Sequence, residues 1–377
     1  MRYGLDRPGL RMRAATAALA IAMLALLASA PAAQALPAKF WGVVPQAAPT
    51  AEQFQRLKRG GVATMRIPVF WGSVQPVPGG AFDWSQVDQL VGGATAVGIE
   101  VLPFLYGAPT WAVPADRIIP SHPPKYLPVR TGLQRAGWTR FLGEVIGRYG
   151  PNGSFWAQNP GLPKRPIRVW QLWNEQNFKY FVARPNPAEY GKLVSISYPA
   201  IKAADPTARI VLGGMFSAPK EALIKRGPPQ AFFASDFLEQ MYRLTPGVKR
   251  KFHGVAVHPY TEAFQRIGGY VEEIRDVLAA NRDTGKGLWL TELSWSSQRS
   301  SAGNFAKGRQ GQAKQLRGAF GLLRANQRKW NVQRVYWFSV DDQEGSCNFC
   351  DGSGLFGPGF VPKPSWFAFT AFSGGKP

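Results

Sequence analysis

The sequence predicts an α/β protein, a single (β/α)8 TIM barrel with loop insertions on its catalytic face. Three observations predict this fold class. Eight short apolar or β-branched runs recur along the chain, and amphipathic helical patterns separate them. The length of 377 residues fits one barrel with insertions better than two ordinary domains.

The eight predicted strands are spread over the chain beyond its N-terminal segment. They cover residues 40–46, 64–71, 99–106, 168–173, 209–215, 252–258, 288–291 and 334–339. Helical patterns lie between them at 51–59, at 84–96, where Asp83 is a candidate cap, and most clearly at 271–278. Strands that alternate with helices favour a closed parallel barrel over an open sheet.

The interval between strands three and four is the longest. It holds a Pro-rich loop at 114–128, a helical pattern at 133–149 and a Gly/Pro/Asn-rich stretch that ends at Pro166. Insertions of this kind usually lie on the catalytic face of a barrel and shape a cleft. The alternative is a disordered linker between two domains, which the aromatic residues of the interval argue against. These are Tyr126, Trp138, Phe155 and Trp156.

The N-terminal segment has the pattern of a signal peptide. Four arginines precede an apolar run at 14–30, and Ala33-Gln34-Ala35 fits a small-x-small cleavage site. We therefore expect residues 1–35 to be removed and residues 36–377 to form one secreted, extracytoplasmic domain without stable membrane insertion. An uncleaved membrane anchor is the alternative, because the apolar run is near the lower limit for spanning a bilayer.

The chain is strongly basic, with a formal net charge of +22, of which about +19 belongs to residues 36–377. Such a charge favours contact with anionic polymers or surfaces, which makes an acidic polysaccharide a candidate substrate. Because the basic residues are scattered, we favour a general basic bias that serves solubility alone as the explanation of the charge. No basic helix and no known nucleic-acid-binding motif is apparent in the sequence. Export also argues against a DNA partner, so we expect no nucleic-acid partner.

Cys347 and Cys350 are the only cysteines of the chain. In an oxidising compartment such a C-x-x-C pair is most often a local disulfide, which is the pairing we predict. A redox-active pair or a zinc site is the alternative. Only three histidines occur, and there is no second cysteine pair that could complete a tetrahedral zinc site.

Two of the predicted strands end in a glutamate beside aromatic residues. Glu175 follows strand four in VWQLWNEQN, and Glu292 lies in LTELSW at the end of strand seven. An apolar strand rarely ends in such an acid without a polar task, although a surface charge or a core ion pair is the alternative. The carboxyl ends of barrel strands form the active face, so the two side chains can converge. Two carboxylates are the minimum equipment for cleaving a glycosidic bond.

Other strand ends supply candidate partners for these carboxylates. Arg66 interrupts apolar strand two, and a buried arginine needs a carboxylate, which it keeps ionised. His258 and Tyr260 close strand six and can hydrogen-bond a carboxylate or a sugar, unless they are ordinary core polar groups. Trp337 on strand eight is the candidate floor of a sugar site. Weaker candidates for sugar stacking are Trp71, Trp111 and Trp295, since a single tryptophan is more often core.

Taken together, these residues resemble the retaining β-glycosidases of clan A. The matching positions are Arg66, Asn174-Glu175, His258-x-Tyr260, Glu292 and Trp337. The resemblance runs from Trp41 to Lys363-Pro364-Ser365-Trp366 and is greatest to glycoside hydrolase family 39 and related cellulase-like bacterial proteins. Two positions depart from the family pattern. Gln176 stands where proline is common, and Ser294 where glycine is common after the nucleophile.

The resemblance implies a secreted retaining O-glycoside hydrolase that cleaves β-glycosidic bonds of an oligo- or polysaccharide by double displacement and needs no metal or organic cofactor. It implies Glu292 as the nucleophile and Glu175 as the general acid/base, protonated at first because the negative Glu292 is near. Asn174 would bind the sugar's 2-hydroxyl, and Arg66 and Tyr260 would hold Glu292 ionised. A transglycosylase with the same site and a non-catalytic glycan-binding barrel are the alternatives.

Overall fold

The computed structural model describes residues 1, 35–113, 125–216, 231–299, 303–343, 345 and 350–377. The predicted signal peptide up to residue 34 and the Pro-rich segment 114–124 therefore lie outside the described residues. The compact unit that holds the barrel spans Pro37–Pro377. Within the described ranges, no helix has the length and apolar character needed to cross a membrane.

Eight parallel strands close into a barrel in the order in which they occur along the chain. They are β1 (Trp41–Val44), β2 (Thr64–Phe70), β3 (Glu100–Tyr106), β4 (Val169–Asn174), β5 (Arg209–Phe216), β6 (Gly254–His258), β7 (Gly287–Leu293) and β8 (Val332–Phe338). The ring closes where β8 pairs with β1, with Trp41 opposite Val335 and Val44 opposite Phe338. This architecture confirms the predicted fold class.

Helices surround the strands. They are α1 (Ala51–Arg59), α2 (Trp71–Val74), α3 (Ser85–Ala96), α4 (Gly132–Tyr149), α5 (Ser154–Gln158), α6 (Pro187–Ala204), α7 (Ala234–Leu244), α8 (Ile267–Ala280), α9 (Gly308–Ala325) and α10 (Pro364–Ser373). Capping boxes begin two of them, α1 at Thr50 and α4 at Thr131. At α3 the predicted cap Asp83 does accept the Ser85 N–H at 2.9 Å, one residue before the N-cap position. A small antiparallel pair, β9 (Phe356–Gly357) and β10 (Val361–Pro362), precedes α10.

The inside of the barrel is apolar over most of its depth. Side chains from six different strands form this core. They are Val44, Leu102, Val211, Ala256, Trp289 and Tyr336. Because the outer faces of the strands are covered by helices, every residue of β7 is buried. Strands buried on both faces read as continuous apolar runs, which is why all eight can be recognised in the sequence.

The strand boundaries differ from the predicted ones by at most two residues. The largest consequence is at β7, which runs to Leu293 rather than 291, so that Glu292 lies within the strand. β8 begins at Val332 because this residue pairs with Leu288. β1 is confined to the four residues that pair with β8. These differences leave both predicted glutamates at the carboxyl ends of their strands.

Candidate active site

Glu175 and Glu292 meet at the carboxyl end of the barrel. Glu175 follows β4 directly and Glu292 is the penultimate residue of β7. The two are only 7% and 8% exposed. One carboxylate oxygen of each lies, with a ring nitrogen of His258, in a group whose atoms are all within 4.8 Å of one another. The structure therefore brings together the two acids that the sequence singles out.

The chain bends sharply where it delivers Glu175 to the site. Trp173 and Glu175 have φ values of 71° and 41°, in the left-handed region that side chains other than glycine rarely adopt. The bend is held by a hydrogen bond of 2.9 Å from the Glu175 N–H to the Gly214 carbonyl of β5. A Cβ at Gly214 would lie 1.9 Å from His258 Nε2, so this position has room only for glycine.

Arg66 is fully buried beneath the two acids and donates to three partners. Its Nη1 donates to Glu292 Oε1 at 2.5 Å, its Nη2 to Asn174 Oδ1 at 2.6 Å and its Nε to Gln171 Oε1 at 2.6 Å. The Tyr260 hydroxyl donates to the other oxygen of Glu292 at 2.7 Å. A buried guanidinium is stable only when it is paired and hydrogen-bonded. Both oxygens of Glu292 are thus fixed as acceptors.

A second chain of hydrogen bonds runs from Arg66 to Glu175. Because Gln171 Oε1 accepts from Arg66, its Nε2 must be the amide nitrogen, which donates to Thr291 Oγ1 at 3.2 Å. The Thr291 hydroxyl is then left to donate to His258 Nε2, at 2.9 Å. This assigns the proton of His258 to Nδ1, which donates to Glu175 Oε1 at 2.8 Å. The tautomer of His258 is therefore fixed from Arg66 through two side chains.

The surroundings of Glu175 and His258 shift the pKa values of both groups. Burial, followed by the charge of Glu292, raises the pKa of Glu175 well above its usual range, while Arg66 opposes the shift. The predicted cause, the negative Glu292, is therefore the second contribution, and burial is the larger. Burial, with Arg66, lowers the pKa of His258, which is thus a neutral donor. Since His258 occupies Oε1 of Glu175, the proton of this acid belongs on Oε2.

The two acids line a cleft of about 440 Å³. Asn174 and Tyr260 line it beside them, together with Gln46. Most of the remaining lining residues are aromatic. These are Phe104, Tyr106, Phe178, Tyr180, Phe181, Phe216 and Phe338. The described part of the cleft thus has a small polar centre within largely aromatic walls.

Trp337 does not reach this cleft, and the prediction that it forms the sugar floor is wrong. Side chains alternate across a strand, and on β8 Tyr336 and Phe338 point into the barrel. Trp337 therefore points outward, fully buried, toward Phe320 of α9, with its indole N–H donating to the Ser353 carbonyl at 2.9 Å. Phe338 takes the place in the cleft. The other three tryptophans considered, Trp71, Trp111 and Trp295, do not line it either.

Sequence reasoning passes over Gln171 and Thr291. Both are fully buried and link the two halves of the site. Their signal is present in the sequence, since each is a polar side chain inside an otherwise apolar strand that ends in a glutamate. The two residues that depart from the family pattern, Gln176 and Ser294, are also buried near the acids. Gln176 Oε1 and Ser294 Oγ are buried and have no hydrogen-bond partner among the described residues.

One of the two cysteines, Cys350, lies at the site. Cys350 is buried and lines the cleft, whereas Cys347 lies outside the described residues. The Cys347–Cys350 disulfide accordingly stays a prediction.

Three donor groups are close enough in distance to hold a cation, namely Glu175, His258 and Glu292. Two features of the site oppose that use. Arg66 already donates to Glu292 and would repel a cation at that oxygen. His258 directs a donor N–H, rather than a lone pair, toward Glu175. These donors suit proton transfer better than metal binding.

Comparisons with known proteins agree with this chemistry. The family model of a glycosyl hydrolase catalytic core matches residues 185–356, a range that contains Glu292, His258 and Tyr260. No curated protein is similar enough in sequence to match. Among solved structures, the chain is similar to a family 39 glycoside hydrolase from Bacteroides cellulosilyticus WH2, with 20% identity, a TM-score of 0.62 and coverage of 89% of this chain and 64% of that one.

Two further structures are similar over the barrel. A monomeric β-xylosidase from Caulobacter crescentus CB15 has 20% identity and a TM-score of 0.62, with 89% of this chain and 68% of that one covered. An intracellular xylanase from Thermoanaerobacterium saccharolyticum has 17% identity and a TM-score of 0.56, with 89% and 95% covered. The chain thus spans about two thirds of the first two. Residues 185–356 match the model of a glycosyl hydrolase catalytic core, and the barrel shares the fold of these three solved structures.

We predict that replacement of Glu175 by glutamine changes how stability depends on pH. A group whose pKa is raised in the folded state binds its proton more tightly there than in the unfolded chain. The free energy of unfolding of the wild type should therefore fall as pH rises from about 4.3, the unfolded value, toward the folded pKa. Glu175→Gln should lack this fall. Urea unfolding at a series of pH values measures it, with Glu239→Gln at an exposed position of α7 as the control. Parallel curves for Glu175→Gln and wild type would contradict the raised pKa.

A second prediction concerns Thr291. Thr291→Val keeps the shape but leaves His258 Nε2 buried without its donor, so the free energy of unfolding should fall by about 1–3 kcal/mol. Nitrogen NMR of the imidazole should show the Nδ1–H tautomer in the wild type and a mixture in Thr291→Val. Thr291→Ser keeps the hydroxyl and should preserve the single tautomer. An Nε2–H tautomer in the wild type would refute the network.

Proposed function

We propose that the chain is a secreted retaining glycoside hydrolase that cleaves β-glycosidic bonds by double displacement, with Glu292 as nucleophile and Glu175 as general acid/base. One observation carries the proposal: two buried carboxyls with oxygens within 4.8 Å have opposite environments. Retaining enzymes place these groups about 5–5.5 Å apart, whereas inverting enzymes need about 6.5–9.5 Å to seat a water.

The environments fit the two roles. Glu292 is held as an acceptor by Arg66 and Tyr260, which favours the ionised form that a nucleophile requires. Glu175 is held by His258 at Oε1 and retains its proton, as an acid requires. Asn174 lines the cleft with its Oδ1 fixed by Arg66, so its amide N–H groups are the ones available to a sugar hydroxyl.

The reaction then follows in two steps. Glu292 bonds to the anomeric carbon while the bond to the leaving oxygen breaks and Glu175 Oε2 gives that oxygen its proton. Glu175, now a carboxylate, takes a proton from a water molecule as the water's oxygen bonds to the anomeric carbon and Glu292 departs. Glu175 ends protonated and Glu292 ionised, so the site is restored.

The substrate is proposed from the sequence, from the similar structures and from the charge of the chain. The sequence favours an oligo- or polysaccharide, and two of the similar structures are a β-xylosidase and a xylanase, which makes β-linked xylose the first sugar to test. The positive net charge makes an acidic polysaccharide a further candidate substrate. Among the described lining residues none is a lysine or arginine, and Lys125 stands at the rim with Lys179 near it. A panel of p-nitrophenyl β-glycosides, including the glucuronide, separates these options.

The experiment that tests the proposed function is the stereochemistry of hydrolysis. A double displacement inverts the anomeric carbon twice, so the first-formed sugar should have the β configuration of the substrate. Proton NMR of the reaction before mutarotation shows which anomer appears first. An α anomer would overturn the mechanism, and an absence of hydrolysis across the panel would overturn the function.

Substitution of each acid by alanine should separate the two roles. Glu292→Ala removes the nucleophile and should abolish turnover, with azide restoring it as the α-glycosyl azide. Glu175→Ala should retain most activity on p-nitrophenyl glycosides, because this leaving group needs little protonation, but lose it on alkyl glycosides. Glu239→Ala on α7 is the matched control. The opposite behaviour of the two variants would exchange the assignments.

A further inference from the structure

We infer that the leaving-group side of the cleft is built for an apolar aglycone rather than for a second sugar. The feature that points to this is an aromatic wall formed by Phe178, Tyr180, Phe181 and Phe216, all of which line the cleft. The inference rests on the proposed function, because the role of Glu175 as the acid defines which side the leaving group occupies. It replaces the oligo- or polysaccharide that the sequence favours with a glycoside of an apolar alcohol.

The aromatic wall stands beside the acid. Three of its members come from the turn that follows Glu175 within six residues. The Phe178 N–H donates to the Glu175 carbonyl at 2.9 Å, so the turn and the acid are tied together. The acid has to reach the glycosidic oxygen, at about hydrogen-bond distance. Because Glu175 and the wall line the same cleft, a group attached beyond that oxygen can reach the wall.

The wall is held in place from behind by Asn177, which is fully buried. Its side-chain N–H groups donate to the carbonyls of Phe216 at 2.7 Å and Phe232 at 2.8 Å, and its Oδ1 accepts the Phe216 N–H at 2.9 Å. The rings of Phe178 and Phe216 stack at 4.9 Å with an interplanar angle of 24°. The apolar surface is thus positioned before any ligand arrives.

The chemistry of this surface favours an apolar group. A pyranose can stack its C–H face on one aromatic ring, but the hydroxyls at its edge need hydrogen-bond partners. The three phenylalanine side chains of the wall offer none, so hydroxyls desolvated against them would lose their bonds to water. An alkyl or aryl group gains affinity there instead, roughly fourfold for each methylene that is fully buried.

The arrangement of the polar lining groups matches such a substrate. Asn174, Tyr260 and the two acids cluster around Arg66 and Glu292 at hydrogen-bond or slightly longer distances, so they can meet the hydroxyls of a single sugar. At the outer end of the wall, Tyr180 is 54% exposed and the Lys125 ammonium lies 4.3 Å from its ring. An aglycone can therefore leave the cleft toward solvent past a ring that is apolar on its face and polar at its edge.

The test compares leaving groups of equal chemistry and different apolar size. Alkyl alcohols have similar acidity, so methyl, n-butyl and n-octyl β-xylopyranoside differ in wall contact rather than in the bond-breaking step. For the protein as exported, kcat/KM should rise by roughly tenfold or more from the methyl to the octyl xyloside. The xyloside concentrations are kept below those at which micelles form. Xylobiose should be no better than the methyl glycoside. A flat alkyl series, or a preference for xylobiose, overturns the inference.

Variants locate the effect. Phe178→Gln and Phe181→Gln should remove most of the gain from methyl to octyl xyloside. The readout is the ratio of the two kcat/KM values, because an effect of a variant on the acid changes both substrates alike and cancels in the ratio. Phe367→Gln replaces an exposed phenylalanine on α10 and should change neither kcat/KM value. Should an inner variant fail to fold, the exposed Tyr180→Gln gives a smaller loss of the same kind. An undiminished gain in these folded variants overturns the role of the wall.

Binding distinguishes failure of this inference from failure of the proposed function. Calorimetry with the same xylosides does not require turnover. If no glycoside is hydrolysed but octyl xyloside binds roughly tenfold tighter than methyl xyloside, in a way that Phe178→Gln removes, the proposed function fails and the apolar site stands. Equal or undetectable binding of the two ligands overturns the apolar site, whatever the activity.

Discussion

The site depends on one buried cation. Arg66 lies at the centre of the barrel without contact to solvent, and its partners come from β4 and β7. Removal of one partner from a buried pair costs roughly 3–5 kcal/mol, because it leaves an uncompensated charge. The guanidinium fork has a fixed geometry, so satisfying it fixes the relative positions of the strands that carry Glu292 and Asn174. Phe104 closes the remaining side, with its ring centre 3.9 Å from the guanidinium carbon.

From Arg66 the two carboxyls acquire different characters through different routes. Glu292 receives the charge directly, and the Tyr260 hydroxyl adds a neutral donor. Glu175 is linked to Arg66 by hydrogen bonds only through Gln171, Thr291 and His258, and the charge of Arg66 opposes the rise of its pKa without overcoming burial. Two residues of the same type therefore suit the proposed roles of nucleophile and general acid, because one is paired with a cation and the other with a neutral imidazole. Burial is the larger reason why Glu175 keeps its proton to a higher pH than an exposed glutamate does.

The sequence predicts most of this framework and misses two kinds of detail. Strands buried on both faces stand out as apolar runs, and glutamates that end them stand out against that background, so the barrel and both acids can be predicted. Trp337 was assigned to the cleft from its position near a strand end, but side-chain direction alternates residue by residue, and β8 turns its even-numbered side chains inward. Gln171 and Thr291 were passed over because their partners lie on neighbouring strands that only the folded barrel brings within reach. The aromatic wall was likewise hidden, since Phe178 and Phe216 are 38 residues apart and meet only through β4 and β5.

The unfavourable features of the site lie in the residues next to the two acids. Two successive departures from favoured backbone, at Trp173 and Glu175, flank Asn174. Gln176 follows with a buried oxygen that has no partner among the described residues, and Ser294 has the same deficit beside β7. Each of these features lowers stability, and each lies within two residues of an acid. A regular strand would leave Asn174 and Glu175 on opposite faces of β4, so only one of them could enter the cleft. The bend lets both do so, which is a physical reason for the barrel to retain a costly conformation at this point and an ordinary one elsewhere in β4.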